Sequence, residues 1–150
     1  MSRVDEAYVQ ALRARCGETL GISEWISINR TEADAFRIVV GGEKSFGPPA
    51  ETLKPLHTFH LMAMITGLSA VLGLPIESDE HFHVLNYGFD EIIWGRAVFP
   101  GERVRAKMTL LDITDKGPGR YLVRRQNIIE VDTESAPVLE AISCTYWVLS

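Results

Sequence analysis

All four histidines of this 150-residue chain fall between positions 57 and 83: His57, His60, His81 and His83. His81 and His83 form an H-x-H pair, which on a strand turns both rings to one side. Three imidazoles can hold a catalytic zinc. The His57-x-x-His60 spacing is not specific to metals, however, and 81–83 falls at a loop edge, so no metal is assigned. Acid–base chemistry is the better use of these rings. His57 opens an apolar stretch that reads as a helix, and the dipole at a helix N-terminus favours a neutral imidazole. A capping or buried structural histidine is the alternative. Asn86 and Tyr87 put polar tips into an otherwise apolar strand pattern, beside Gly88. They either satisfy hydrogen bonds in a core or interface, or line a site. GGEKSFG at 41–47 resembles a phosphate loop only in its glycines and lacks the GK[ST] ending, and there is no dinucleotide loop, so no cofactor is expected.

These residues need elements to position them. The stretch 56–73, LHTFHLMAMITGLSAVLG, is apolar on nearly every side, the mark of a buried helix. Its length would just reach across a bilayer core, but it carries His57, His60, Thr66, Gly67 and Ser69 and has no second copy. It is therefore read as the central helix of a soluble core, with no membrane role. Ala63, Gly67 and Ala70 share one narrow face, expected to lie close against a sheet. Gly73 and Pro75 end the helix. Ahead of it, residues 4–16 carry a helical stripe stopped by Gly17. Residues 24–29 alternate as a first strand, and Thr31 can cap a helix TEADAFRIVVG that Gly41-Gly42 breaks. A strand over Ile38-Val39-Val40 stays open on β-propensity. Residues 43–55, with one glycine and three prolines, read as an irregular overhang. Strand patterns follow from Phe82, over 102–113, 120–131 and 138–149, with turns at Pro100-Gly101, DKGPG and DTESAP. Trp25, Trp94 and Trp147 are read as core. One helix followed by a run of antiparallel strands argues an α+β domain spanning 1–150.

Bulk properties narrow the function classes. A composition 46% hydrophobic and 23% charged is that of a folded domain. The net charge of −5 disfavours a nucleic-acid partner. The basic residues Arg103, Arg105, Lys107, Arg120, Arg124 and Arg125 read as solvated strand faces. Cys16 and Cys144, with no CxxC, read as free thiols in a reducing compartment. The opening MSRVDEAYVQ lacks the apolar core of a signal peptide, so a cytoplasmic location is expected.

Three pieces of the chain resemble the MaoC-like (R)-specific enoyl-CoA hydratase family of the hot-dog fold, nodulation-protein-N-like members included. GISEWISINRTEADAFRIVVGGE is similar to its G-x-S-x-W strand and T-x-x-D-x-F helix. Leu56-His57-Thr58-Phe59 stands where the family has A-H-G-F at the opening of the central helix. VLNYGFDEIIWGRAVFPGERVRAKMTLLDI resembles its N-Y-G-F-D and G-x-R-V-R-A strand pair almost residue for residue. The resemblance implies an antiparallel sheet wrapped around the long helix 56–73. It also implies a dimer with acyl-thioester sites near the subunit interface, and water addition to trans-2-enoyl-CoA or acyl-carrier-protein substrates. A homodimer is expected, or a hetero-oligomer with a hydratase subunit.

The departure from the family falls on its chemistry. The family's acid–base pair is an Asp and a His five residues later. Here Glu43 takes the Asp position and Pro48, which moves no proton, takes the His position. The resemblance thus points to Glu43 as base and to His57 or His60 as replacement for the lost histidine. Thr58 replaces the family's glycine, and its backbone N–H can still polarise a thioester carbonyl. Asn86, Tyr87 and Gly88 are placed at the acyl pocket or dimer seam. The readings are a hydratase or dehydratase with an altered site, a non-catalytic pseudo-hydratase that binds acyl-CoA or partners an active subunit, and a hot-dog thioesterase using Glu43.

Overall fold

The computed structural model describes residues 4–46, 54–72, 74–75 and 77–150. The order is α1 (Glu6–Arg13), β1 (Thr19–Ile22), β2 (Ile26–Ser27), α2 (Arg30–Phe46), α3 (Thr58–Val71), β3 (Phe82–Trp94), β4 (Arg103–Asp115), β5 (Arg120–Val131) and β6 (Leu139–Leu149). Among the described residues the strands form one antiparallel sheet in the order β1-β4-β5-β6-β3, with β2 also on β4. Both long helices of the expectation exist and the class is α+β.

Period-two alternation builds the sheet. On β5 the side chains of Tyr121, Val123, Arg125, Asn127, Ile129 and Val131 are buried, while their neighbours are less so. β4 and β6 alternate in the same way. The buried face carries two apolar clusters. At one end α1 supplies Val9 and Leu12 against Phe82, Leu110, Val123 and Trp147. At the other end Leu56, Leu61 and Ile65 meet Val104, Ile129, Val131 and Leu139. Both helices therefore lie on the same face of the sheet.

Several local expectations are corrected. Residues 24–29 do not form one strand: that stretch holds the two-residue β2, and β1 lies ahead of it, with a register shift between Thr19 and Gly21. Asn29 caps α2, not Thr31. The Asn29 Oδ1 accepts the Glu32 N–H at 2.9 Å and the Glu32 carboxylate accepts the Asn29 N–H at 2.8 Å, a reciprocal capping box. α2 does not stop at Gly41-Gly42 but runs on to Phe46, so Ile38-Val39-Val40 is helical and Glu43 lies on helical backbone rather than in an overhang. Glycine lowers helix propensity by about 1 kcal/mol without obstructing helical geometry. No proline follows until Pro48. Residues 47–53, Pro48 among them, lie outside the described residues.

The central helix spans Thr58–Val71, shorter than 56–73, and it is not buried all round. Leu61 and Ile65 face the sheet, whereas Phe59 is 57% and Val71 69% exposed. The Ala63/Gly67/Ala70 face is exposed too, and a Cβ added at Gly67 would meet nothing within 4 Å. Uniform hydrophobicity carries no phase, so it could not say which side this sheet covers. Among the described residues no helix is long and apolar enough to cross a membrane. Of the tryptophans Trp147 is fully buried, Trp94 is exposed, and Trp25 lies under the Arg105 guanidinium, 4.5 Å from the ring centre.

Gly95 closes the sheet after β3. Its N–H donates to Val138 O at 3.0 Å, and a Cβ there would collide with Pro137 O and come within 2.9 Å of Val138 Cα. Both obstacles are backbone and cannot swing aside. Gly95→Ala is expected to destabilise the fold by about 1–3 kcal/mol, read as a lowered melting temperature; an unchanged transition would show that this approach is loose.

Candidate active site

The opening of α3 is the first component. Leu56 N–H donates to Val98 O at 2.7 Å, which fixes the chain just ahead of the helix. Arg37 of α2 donates to Pro55 O, tying α2 to the same point. His57 then caps α3: its Nδ1 accepts the Phe59 N–H at 3.2 Å. An imidazole that accepts at Nδ1 carries its neutral-form proton on Nε2. Thr58 begins the helix and is exposed, and its N–H belongs to the first-turn donors that a helix leaves without an internal acceptor. His60, one turn on, stacks on Phe36 with centroids 4.3 Å apart. Among the described residues its Nδ1 is buried without a partner, and burial is the main cause that lowers its pKa.

The second component is a cavity of about 340 Å³ between α3 and the sheet. Phe59, Met62, Ala63, Ile65 and Thr66 line it from the helix; Val84, Asn86 and Phe89 line it from β3. Arg125, Ser143 and Thr145 add polar groups from β5 and β6. These three belong, with Asn127, to a polar belt on the buried face of β5 and β6, between the two apolar clusters. Asn127 Nδ2 donates to Ser143 Oγ at 2.9 Å and to Ala141 O at 3.2 Å; Arg125 Nη2 reaches Thr145 Oγ1 at 3.4 Å.

The basic cluster thus divides. Arg103, Arg105 and Arg124 lie on the outer face, paired with Asp132, Glu130, and Asp90 and Asp112 at 2.6–3.0 Å, as solvated strand faces should. Arg125 departs from that expectation. It is 6% exposed, and burial depresses its pKa to about 10. Sequence reasoning missed it, along with Ser143 and Thr145. The signal was available, since Arg125 shares the period-two phase of Val123 and Ile129.

The predicted site residues are not all brought together. His57 and Thr58 stand at the helix opening, and the cavity wall begins with the next residue, Phe59. Asn86 faces the cavity. Tyr87 is 69% exposed and stacks on Tyr146 at 5.9 Å. Gly88, at φ +152°, sits at a register shift on β3 against β6, the bulge its place in a strand pattern suggests. Of Glu43 only the backbone, in the last turn of α2, is described.

No protein-family model matches the chain. In the solved structures, the MaoC-like dehydratase from Rhodospirillum rubrum superposes with a TM-score of 0.67 at 17% identity, over 90% of this chain and 93% of that one. The chain has the hot-dog fold of the MaoC-like proteins. Two sequence relatives span most of the chain. Nodulation protein N of Rhizobium leguminosarum bv. viciae is 28% identical over 138 aligned positions, 85% of this chain and 83% of that protein. The 3-hydroxyacyl-thioester dehydratase Z of Mycobacterium tuberculosis is 26% identical over 153 aligned positions, 93% and 95% of the two chains. The MaoC-like fold is shared more widely. A chain of the HadBC (3R-hydroxyacyl-ACP dehydratase) complex of Mycobacterium tuberculosis superposes at a TM-score of 0.56 with 15% identity, over 84% of this chain and 94% of that one. The fluoroacetyl-CoA-specific thioesterase FlK does so at 0.57 with 13%, over 90% and 95%.

Proposed function

We propose that this chain acts on acyl thioesters as a hydratase or dehydratase whose acid–base pair has been altered. The observation that carries the reading is the cavity along α3, whose apolar wall starts one residue after the Thr58 N–H. An acyl chain in it would hold its thioester carbonyl at the helix opening. There the Thr58 N–H and the helix dipole face the oxygen on which negative charge develops. The relationship to a 3-hydroxyacyl-thioester dehydratase supports the substrate class.

Hydration then needs few groups. The Glu43 carboxylate takes a proton from water as the water oxygen bonds to Cβ of the enoyl group, and the electron pair moves to the thioester oxygen. The proton held by Glu43 passes to Cα as the enolate collapses. His57, with its proton on Nε2, acts as a donor rather than as the base, because Nδ1 is committed to the Phe59 N–H. Asn86 lines the acyl pocket; Tyr87 and Gly88 contribute to the subunit seam.

Pro48 favours a second reading, a non-catalytic acyl-thioester binder that partners an active subunit. The HadBC structure is by its description a complex, a 3R-hydroxyacyl-ACP dehydratase. The fold also serves a thioesterase, and Glu43 would be the base for that reaction. A product-resolved assay with crotonyl-CoA separates the three. Loss of enoyl absorbance without release of thiol is the expected result. Thiol release marks a thioesterase, and binding with neither change marks the non-catalytic reading.

A further inference from the structure

The polar belt poses a problem that the acyl-thioester reading leaves open. A hydrocarbon pocket needs no cation, yet Arg125 projects from the buried face of β5 into this one. Among the described residues its Nε and Nη1 are buried without any hydrogen-bond partner, and Nη2 has the 3.4 Å contact to Thr145. Among the described residues the ionisable groups near it, Cys144 and Tyr8, supply no counter-ion; burial raises the pKa of the Cys144 thiol. Its strand neighbours in register are Leu110 and Ser143. Tyr8 of α1 lies close enough to interact with it and is itself half-buried, with burial raising the pKa of its hydroxyl. Asp90 and Asp112, the carboxylates beside β5, are held on the outer face by Arg124. An unpaired buried charge is strongly destabilising. A guanidinium retained under these conditions implies an anion that arrives from outside.

We propose that the cavity is a binding site for a carboxylate, and that the preferred acyl group is a dicarboxylic one whose free end meets Arg125. The chemistry selects a carboxylate over a phosphate. One planar fork with open N–H groups matches a single carboxylate. The walls of Phe59, Met62, Ile65, Val84 and Phe89 suit the methylenes between the two ends of such a chain, whereas a doubly charged, heavily hydrated group would meet mostly hydrocarbon there. Helical rise sets the run from Phe59 to Thr66 at roughly 10 Å, the scale of a short to medium acyl chain. Thr145 and Ser143 flank the guanidinium and add hydroxyls to the same end. The inference rests on the acyl-thioester reading for its thioester end and on Arg125 for its carboxylate end, so the two can fail separately.

The test is calorimetric binding of glutaryl- and adipyl-CoA against pentanoyl- and hexanoyl-CoA, with free glutarate as a further probe, on wild type, Arg125→Met and Arg125→Lys. Wild type is expected to bind the dicarboxylic thioesters on the order of 100-fold tighter, the scale of a desolvated charge pair. Arg125→Met should abolish that advantage and melt no lower than wild type, because it removes an unpaired charge. Arg125→Lys should keep part of the advantage. Equal affinity for both thioester series would overturn the carboxylate site and leave the acyl-thioester reading standing. Binding of free glutarate that depends on Arg125, with no thioester bound, would do the reverse for the site itself while overturning the dicarboxylic thioester. No binding of any probe would sink both. A lowered melting temperature with loss of the dimer in Arg125→Met would show instead that a partner subunit's carboxylate meets the charge, and would overturn the proposal.

Discussion

Glu43→Gln is expected to cut enoyl-thioester hydration by about 10²–10⁴-fold, the usual worth of a positioned general base, while leaving the melting temperature where it was. The amide keeps the size and polarity of the side chain and removes only its capacity to take a proton. Two features make this effect larger than for any other single change at the site. Pro48 leaves no second proton carrier in the family's usual place. His57, as cap of α3, has its Nδ1 committed to a backbone N–H. The companion variants separate capping from chemistry. His57→Ala loses a helix cap, worth about 0.5–2 kcal/mol, as well as the Nε2–H donor. His57→Asn keeps a capping acceptor, so it should restore the melting temperature and not the turnover. Unchanged turnover in Glu43→Gln would remove Glu43 from the reaction. Full activity in His57→Asn would reduce His57 to a cap.

The second large effect concerns assembly. Ile92→Asp is expected to convert a dimer into monomers. β3 lies at the end of the strand order and runs for 13 residues, about 44 Å of open hydrogen-bonding edge. Proteins shorten, charge or cover such edges, because an open one pairs with the next chain. This edge carries Leu85, Phe89, Ile92, Ile93 and Trp94 exposed, and Trp94 sits 6.2 Å edge-on from Phe59 of α3. The uncovered flank of α3, from Phe59 through Ala63 and Gly67 to Val71, adds to the same apolar region. We propose a second hot-dog chain as its cover. Light scattering should give twice the chain mass of 16.7 kDa for wild type and the single mass for Ile92→Asp. A wild-type monomer at micromolar concentration would contradict this, as would a dimer indifferent to the buried aspartate.

Much of the fold was legible because strands announce their period. β4, β5 and β6 fall where alternation puts them, and Gly88 marks its bulge. The helices were legible as existing but not as oriented. α3 is apolar on every side, so its sequence holds no phase that separates the side covered by its own sheet from the side left for another chain. Gly41-Gly42 is a propensity signal and not a geometric stop; glycine weakens a helix, whereas proline ends one. The capping box at Asn29 and Glu32 stands in the sequence as N-x-x-E, two residues ahead of a threonine that offers the same kind of cap. Arg125 is the instructive miss at the site. Counted with Arg120 and Arg124 it is one more surface cation. Placed by parity it falls among Val123, Asn127 and Ile129, on the face that is buried. Composition treats the three alike, and only the strand period separates them.

The measurement that bears most directly on the account is the enoyl absorbance of crotonyl-CoA, and of a longer trans-2-enoyl-CoA, followed with the purified wild-type chain while released thiol is monitored in the same sample. The account predicts a fall in absorbance towards the hydration equilibrium with the thioester intact, and its loss in Glu43→Gln. An unchanged absorbance from a folded protein that still binds the thioester would contradict it, and would leave a hot-dog chain that keeps the ligand without the reaction.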